Sequence, residues 1–182
     1  MNASVDLSDV RLETDRLILR EWQETDLEDF YEYARVDGVG QMAGWQPHDT
    51  IETSKIVLDI FMSGKKTFAV QLKENNKVIG SVGIEELSMV PGAEYESLYG
   101  RELGYVLNKD YWGKGIMPEA VKKVIEYCFE NCGCDYLICS CSPANSQSKR
   151  VIEKCGFEFL TEKVRKLSDG TERTALYHTL HK

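Results

Sequence analysis

The chain has 182 residues, of which 42% are hydrophobic and 29% charged, and its formal net charge at pH 7 is −8. These values are typical of one globular domain with a substantial core, and the acidic balance argues against a nucleic-acid-binding surface while being compatible with a cationic substrate. No apolar run reaches the length of a membrane span and the N-terminus lacks a signal-peptide pattern, so we expect no membrane contact and a cytoplasmic location.

The first half of the chain predicts one strand, two helices and a hairpin. Residues 1–10 are polar, and we expect a flexible N-terminal segment there. Thr25 and Glu28 have the spacing of a helix capping box, and Gly64 is expected to stop the second helix. The predicted elements are a strand over 16–20, a helix that begins at Thr25, a loop over 36–48, a helix over 50–62, strands over 67–72 and 78–86 around Asn75-Asn76, and a connection over 89–100.

The second half predicts strands and helices in alternation. Residues 102–107 alternate as a strand does, and Pro118 fits the first position of a long helix that Gly133 ends. The later elements are a strand over 136–141, a helix over 145–155 closed by Gly156, and a hairpin over 157–166 and 171–181 around Ser168-Asp169-Gly170. The order βααβββαβαββ predicts a single α/β domain over residues 11–182, with a mixed sheet in which strands 102–107 and 136–141 run parallel.

A pair of glycines, Gly113 and Gly115, stands between that strand and the long helix. Glycine allows backbone conformations and close approaches that a Cβ forbids. The helix start offers free amides and the positive end of the helix dipole. The segment is therefore predicted to bind an anion, most naturally a phosphate.

Six cysteines lie in the C-terminal half, at positions 128, 132, 134, 139, 141 and 155. Zinc sites usually separate paired cysteines by two or more residues, whereas here the closest pairs are separated by one. Cys128 and Cys132 fall on the apolar face of the predicted helix, and Cys139 and Cys141 on one face of a strand. We expect reduced thiols in the core and no metal site.

Three segments are typical of one family. They read Thr14-Asp-Arg-Leu-Ile-Leu-Arg20, Trp112-Gly-Lys-Gly-Ile-Met-Pro-Glu-Ala120 and Asn145-Ser-Gln-Ser-Lys-Arg-Val-Ile-Glu-Lys-Cys-Gly-Phe157. The second resembles the acetyl-CoA pyrophosphate loop of the GCN5-related N-acetyltransferases (GNAT), and the others resemble segments of their ribosomal-protein-alanine branch. The resemblance covers roughly residues 11–180. It implies the GNAT fold, with a mostly antiparallel sheet splayed between the fourth and fifth predicted strands.

The loop departs from the family pattern at two positions. Trp112 stands where many relatives carry arginine, although tryptophan is familiar in the ribosomal branch. Met117 replaces the usual glycine or alanine. Most contacts to a diphosphate come from backbone amides here, so we expect binding to survive the bulkier side chain.

The resemblance implies acetyl-CoA as co-substrate. Amides of the loop would take the diphosphate, Lys114 would add a point charge, and the pantetheine arm would pair with the backbone of strand 102–107. Asn145 would hold the pantetheine or the loop, and Ser148 would bind the departing thiolate. The implied cofactor-binding residues are Tyr105, Val106, Leu107, Trp112, Gly113, Lys114, Gly115, Ile116, Met117, Asn145 and Ser148.

The chemistry implied is direct attack of a neutral amine on the thioester in a ternary complex. Glu102 is the leading candidate for the general base, and a backbone N–H near Tyr105 or Val106 for the oxyanion donor. Simpler interpretations stay open for these residues. Asn145 and Ser148 would then only cap a helix, and Glu102 would only form a surface ion pair with Arg101 or Lys109.

Three residues are candidates for the acceptor side, namely Trp45, His48 and Tyr99, although a buried tryptophan and a surface histidine explain the first two as well. The acceptor is a protein N-terminus, as in the ribosomal branch, or a small amine such as a polyamine, amino acid or antibiotic. A catalytically idle acetyl-CoA-binding module is the alternative from another class. We expect a monomer or a homodimer.

Overall fold

The computed structural model describes residues 1–166 and 171–182. Contacts divide the chain into two units, which we call the N-terminal unit (residues 5–84 and 105–124) and the C-terminal unit (residues 1–4, 85–104 and 125–182). The strands are β1 (Leu12–Glu13), β2 (Leu17–Arg20), β3 (Thr67–Leu72), β4 (Val78–Glu85), β5 (Gly100–Leu107), β6 (Tyr136–Cys141), β7 (Glu158–Lys166) and β8 (Glu172–His181). The helices are α1 (Leu27–Ala34), α2 (Gly40–Ala43), α3 (Ile51–Gly64), α4 (Ile116–Glu130) and α5 (Ser146–Lys154).

The strands form a mixed sheet in the order β1-β2-β3-β4-β5-β6-β8-β7. The pairs β1–β2, β2–β3, β3–β4, β6–β8 and β7–β8 are antiparallel. The pair β5–β6 is parallel and runs from Gly100 opposite Tyr136 to Leu103 opposite Cys139. Parallel neighbours need a crossover, and the chain supplies one as α4. The predicted α/β class, the mostly antiparallel sheet and the parallel pair are confirmed.

The core of the N-terminal unit is aromatic. Trp22, Phe30, Tyr33 and Leu58 are buried together, and Trp22 stacks at a tilt on Phe30 with 5.1 Å between ring centroids. These side chains come from α1, α3 and the segment after β2, and they belong to the same buried cluster as Ala69 of β3 and Val78 of β4. Burying each large apolar side chain contributes about 1.5–3 kcal/mol.

The core of the C-terminal unit lies on one face of β6 and β8. Tyr136, Ile138, Ala175 and Tyr177 are buried there against Tyr95, whose ring meets that of Tyr136 edge-on at 4.8 Å. All six cysteines are free thiols, and all but Cys132 are buried, as small hydrophobic residues commonly are.

Residues 1–10, predicted to be flexible, make defined contacts. Ala3 and Leu7 are buried. In the C-terminal unit the Ala3 amide donates to the Gly100 carbonyl oxygen over 3.2 Å, and the Arg101 guanidinium donates to the Ala3 carbonyl oxygen. The flexibility of this segment, and the single domain over 11–182, stay predictions.

Several predicted helix boundaries were wrong. The capping box joins Gln23 and Asp26, and the Asp26 carboxylate accepts from the Gln23 amide over 2.8 Å. It does not involve Thr25, because the chain enters α1 through a 3₁₀ turn and Thr25 lies inside that turn. Gly64 is the last residue of α3, and the left-handed stop is Lys65 at φ +47°. Cys132 lies beyond the end of α4.

α4 begins at Ile116, so Pro118 occupies its third position rather than its first. The change costs no helix hydrogen bond, because the first four amides of any α-helix have no partner within it. The loop predicted over 36–48 contains the short helix α2. The predicted turn at Ser168-Asp169-Gly170 lies outside the described residues. Among residues 1–166 and 171–182, none of the helices is both long enough and apolar enough to cross a membrane.

Candidate active site

The glycine loop lies in the N-terminal unit, between β5 and α4. Gly113 and Gly115 have φ values of +75° and +73°, in the left-handed region that other residues seldom adopt. A Cβ added to Gly113 would meet nothing within 4 Å, so the loop backbone is open to a close approach. An open backbone followed at once by the first amides of a 15-residue helix fits the diphosphate of acetyl-CoA.

Contacts from the segment just before β2 reach both this loop and the first turn of α4. The Thr14 hydroxyl donates to Glu119 Oε1 over 2.5 Å, and Arg16 Nε and Nη2 lie 2.7 and 2.6 Å from Glu119 Oε2. Arg16 Nη1 donates to the Lys114 carbonyl oxygen over 3.0 Å. Partial burial opposes ionisation of Glu119, but the hydrogen bonds from Thr14 and Arg16 outweigh it and hold the pKa of this carboxyl below its usual value.

The side chains of the loop serve mainly to fix it. Trp112 packs against the core of the N-terminal unit, and its Nε1 donates to the Leu107 carbonyl oxygen over 2.8 Å. Met117 is 4% exposed, so its bulk is directed into the protein. Lys114 Nζ lies 5.1 Å from the ring centre of Tyr111, as a cation–π contact. Of these side chains, only that of Lys114 belongs to an exposed residue.

The second half of β5, Tyr105 to Leu107, belongs to the N-terminal unit. Gly80 in β4 allows a close approach here, since a Cβ on it would lie 2.3 Å from the Val106 carbonyl oxygen. The Asn108 amide donates to the Ile79 carbonyl oxygen over 2.7 Å and fixes the strand end. Tyr105 and Val106 are only partly buried, although they lie on an interior strand of the sheet.

Glu102 lies in the C-terminal unit, in the first half of β5, and is 8% exposed. Its Oε2 accepts from the Ser88 hydroxyl over 2.5 Å and from the Ser88 amide over 3.2 Å. Its Oε1 accepts from the Ser140 hydroxyl over 2.8 Å. A surface ion pair with Arg101 or Lys109 is therefore wrong as an explanation, because Glu102 is buried and its oxygens are bound by serines.

Asn145 and Ser148 also lie in the C-terminal unit, at the start of α5. Asn145 is the N-cap, and its Oδ1 accepts from the Ser148 amide over 3.0 Å. The Asn145 cap is confirmed, and it uses the backbone amide of Ser148 rather than its hydroxyl. Glu102 is bound by Ser88 and Ser140 rather than by this pair.

The three acceptor-side candidates differ in environment. Tyr99 is 46% exposed and Trp45 is half-buried. His48 is buried, which makes the expected surface histidine wrong: its ring lies 5.0 Å from that of Trp45, and its Nδ1 lies 2.8 Å from the Ser54 hydroxyl. Burial lowers the pKa of His48. Within residues 1–166 and 171–182, no group of three or more His, Cys, Asp or Glu side chains is arranged to hold a metal ion.

Sequence reasoning missed the serines around Glu102 and the partners of Glu119. Ser140 is 38 residues from Glu102, and Arg16 is 103 residues from Glu119. No local spacing rule connects such pairs. The available signal was indirect, since Thr14, Arg16 and Glu119 all fall inside segments already singled out as typical of one family.

Comparison with known proteins decides the family. The model of the acetyltransferase (GNAT) domain matches residues 16–158. The chain belongs to the GNAT acetyltransferase family. The GNAT resemblance of the sequence is thereby confirmed, and the protein is an acetyl-transferring enzyme of a family that typically uses acetyl-CoA.

Relatives and solved structures agree with this family. An uncharacterised N-acetyltransferase of Bacillus licheniformis, p20, is 26% identical over 152 residues, which is 81% of this chain and 82% of that one. The crystal structure of a ribosomal-protein-S5-alanine acetyltransferase from Vibrio fischeri matches with a TM-score of 0.72 and 22% identity, over 95% of this chain and 97% of that one.

The microcin C7 self-immunity acetyltransferase MccE, solved in complex with acetyl-CoA and AMP, matches with a TM-score of 0.74 and 18% identity, over 93% of this chain and 94% of that one. At these identities the two structural matches show a shared GNAT fold. They leave the acceptor open, because proteins with this one fold act on different acceptors.

Proposed function

We propose that this GNAT enzyme transfers the acetyl group of acetyl-CoA directly to a neutral primary amine, and that its acceptor is the α-amine of a protein N-terminus. The observation that carries the proposal is Glu102, a buried carboxylate on β5 whose two oxygens are held by Ser88 and Ser140. A carboxylate so fixed is prepared to take a proton from an amine.

The acceptor determines how much the base must do. A lysine amine with a pKa of about 10.4 costs about 4 kcal/mol to deprotonate near pH 7.5, whereas an α-amine with a pKa of about 7.7–8.0 costs less than about 1 kcal/mol. Glu102 is a carboxylate with serine hydroxyls as partners and no adjacent cation among them. Such a weak base suits an acceptor that is already largely neutral, so an α-amine is favoured.

The other roles follow from the residues already described. The amides of residues 113–117 and the Lys114 side chain would hold the diphosphate, with each charge-assisted bond contributing about 1.5–3 kcal/mol before costs. The backbone of Tyr105 to Leu107 would pair with the pantetheine arm, and an N–H there would donate to the developing oxyanion. The Ser148 hydroxyl would donate to the departing thiolate, a fair leaving group with a pKa near 8.5.

Acetyl-CoA binding and thiol release provide the test. The acceptors to compare are peptides with a free N-terminus and no lysine, the same peptides with a blocked N-terminus and one lysine, and spermidine. We expect acetyl-CoA to raise the melting temperature and thiol release to be fastest with the free N-termini. Fastest release with spermidine would establish the small-amine alternative. Binding without release to any amine would identify an idle acetyl-CoA-binding module, and absence of binding at millimolar acetyl-CoA would overturn the proposal.

A further inference from the structure

We propose that Arg16 and Thr14 are positioning residues for acetyl-CoA: they hold Glu119 and the Lys114 carbonyl so that the glycine loop presents its amides to the diphosphate. The inference rests on the proposed role of residues 112–117 as the acetyl-CoA loop. All the contacts that carry it lie within the N-terminal unit.

Arg16 fixes the direction of the peptide group between Lys114 and Gly115. Arg16 Nη1 donates to the Lys114 carbonyl oxygen over 3.0 Å. In a trans peptide the carbonyl and the next N–H lie in one plane and point in opposite directions. An arginine that holds the Lys114 oxygen therefore directs the Gly115 N–H away from the Arg16 side, to the other face of the loop. That orientation is the one an anion cradle needs.

Arg16 also neutralises the charge of Glu119. Glu119 is the fourth residue of α4 and bears a negative charge in the turn whose free amides would take a diphosphate. An acid there repels an anionic ligand unless it is neutralised and its oxygens are occupied. Oε2 is bound by Arg16 Nε and Nη2, and Oε1 by the Thr14 hydroxyl and the Arg16 amide at 2.5 and 3.1 Å.

The shape of the guanidinium makes arginine necessary. One side chain bonds to the α4 carboxylate through two nitrogens and to the loop carbonyl through the third. A lysine ammonium is a point donor on a flexible stem and cannot hold both partners in fixed directions. Arg16 also lies beside the loop glycine, because a Cβ on Gly115 would stand 3.8 Å from its Nη2.

Stability alone does not account for the arrangement. The Arg16 side chain is 46% exposed, and ion pairs at such positions contribute little to the free energy of folding. We therefore expect substitutions here to change ligand affinity far more than melting temperature.

The test compares Arg16→Lys with Arg11→Lys, a matched control whose exposed side chain pairs with Glu13 on the same segment. Acetyl-CoA affinity is measured by calorimetry and folding by melting temperature. We expect Arg16→Lys to weaken acetyl-CoA binding about tenfold or more while Arg11→Lys binds as the parent does. Thr14→Val, measured alongside, should also weaken binding and keeps the test valid if Arg16→Lys fails to fold.

A second acyl donor separates positioning from general damage. S-acetylpantetheine carries the thioester and the arm but no diphosphate. We expect kcat/KM of Arg16→Lys to fall with acetyl-CoA and to match the parent with S-acetylpantetheine. Equal acetyl-CoA affinity in Arg16→Lys, Thr14→Val and the parent, or an equal loss with both donors, would overturn the inference. If the parent and Arg11→Lys also fail to bind acetyl-CoA, the proposed function itself is wrong.

Discussion

The hydroxyl of Ser140 in β6 donates a hydrogen bond of 2.8 Å to Oε1 of Glu102 in β5. The two side chains share a face of the sheet because the parallel register sets Glu102 opposite Ile138, two residues before Ser140. Ser88 holds the other carboxylate oxygen from the connection between β4 and β5. A carboxylate bound at both oxygens keeps a fixed direction, which proton transfer requires.

The substitution Glu102→Gln tests the proposed base. It keeps the shape of the side chain and removes its ability to take a proton, so we expect kcat for acetyl transfer to fall by about 10²-fold or more. The KM for acetyl-CoA should stay near that of the parent. Steady-state kinetics with a free N-terminal peptide measures both. The matched control is Glu96→Gln, which changes an exposed acid in the connection between β4 and β5. An unchanged kcat in Glu102→Gln would exclude the base role.

Ser148→Ala tests the proposed donor to the leaving thiolate. The Asn145 cap uses the Ser148 backbone amide, so α5 should keep its cap in the variant. We expect about a tenfold loss in single-turnover rate, the scale of one hydrogen bond, with little change in acetyl-CoA affinity. Ser146→Ala, in the same helical turn, should retain the parent rate. A loss confined to affinity would assign Ser148 to binding rather than to chemistry.

Gly115→Val tests the backbone of the loop. A Cβ here would touch only Arg16 Nη2, at 3.8 Å, so the expected loss of acetyl-CoA affinity comes from backbone conformation rather than from a steric block. At φ +73° a β-branched residue is strained by at least about 1–2 kcal/mol, and the loop should relax away from its native shape. Calorimetry with acetyl-CoA measures the effect.

Two controls separate this cause from general damage. Gly115→Asn should bind acetyl-CoA more tightly than Gly115→Val, because asparagine tolerates the left-handed region. Gly64→Ala in α3, where a Cβ has room and φ is ordinary, should bind as the parent does. Equal affinity for Gly115→Val and the parent would remove this glycine from the site.

Local features of the sequence predicted much of the fold. The left-handed glycines, the Asn145 cap and the parallel pair around α4 each depend on neighbours within a few residues or on a topological rule. The partners of Glu102 and Glu119 do not, since they come from segments that are far apart in the sequence and meet only in the folded chain. Pro118 shows the same limit on a small scale: any of the first helical positions tolerates proline, so its presence could not fix the first residue of α4.

His48 should make folding sensitive to mild acid. Burial holds its pKa below the ordinary value of 6.5, so as pH falls below that value the unfolded chain takes up the proton before the folded one does. The stability that the neutral His48 ring contributes is fully present above pH 6.5. It is lost as the pH falls through the pKa that His48 has in the folded chain. Urea unfolding at pH 7.5 and 5.5 should show a larger loss of stability in the parent than in His48→Gln. Equal losses would mean that His48 titrates alike in both states.

Cys132 should be the most reactive thiol of the chain. A hydrogen bond from Cys128 outweighs partial burial and lowers the pKa of Cys132 to about 7. The other five cysteines are buried, and the thiolate is the species that reacts. We expect iodoacetamide to modify one site, at a rate that rises with pH and is half-maximal near pH 7, as followed by intact mass.

Two cysteine variants decide whether that site is Cys132. Cys132→Ser should abolish the fast modification, whereas Cys155→Ser, which removes a buried thiol, should leave the rate unchanged. Cys128→Ala removes the hydrogen-bond donor. The pH at which the rate is half-maximal should then move toward about 8.5, the pKa of an ordinary thiol. A parent rate that is half-maximal at pH 8.5 would show that the contact with Cys128 does not stabilise the thiolate.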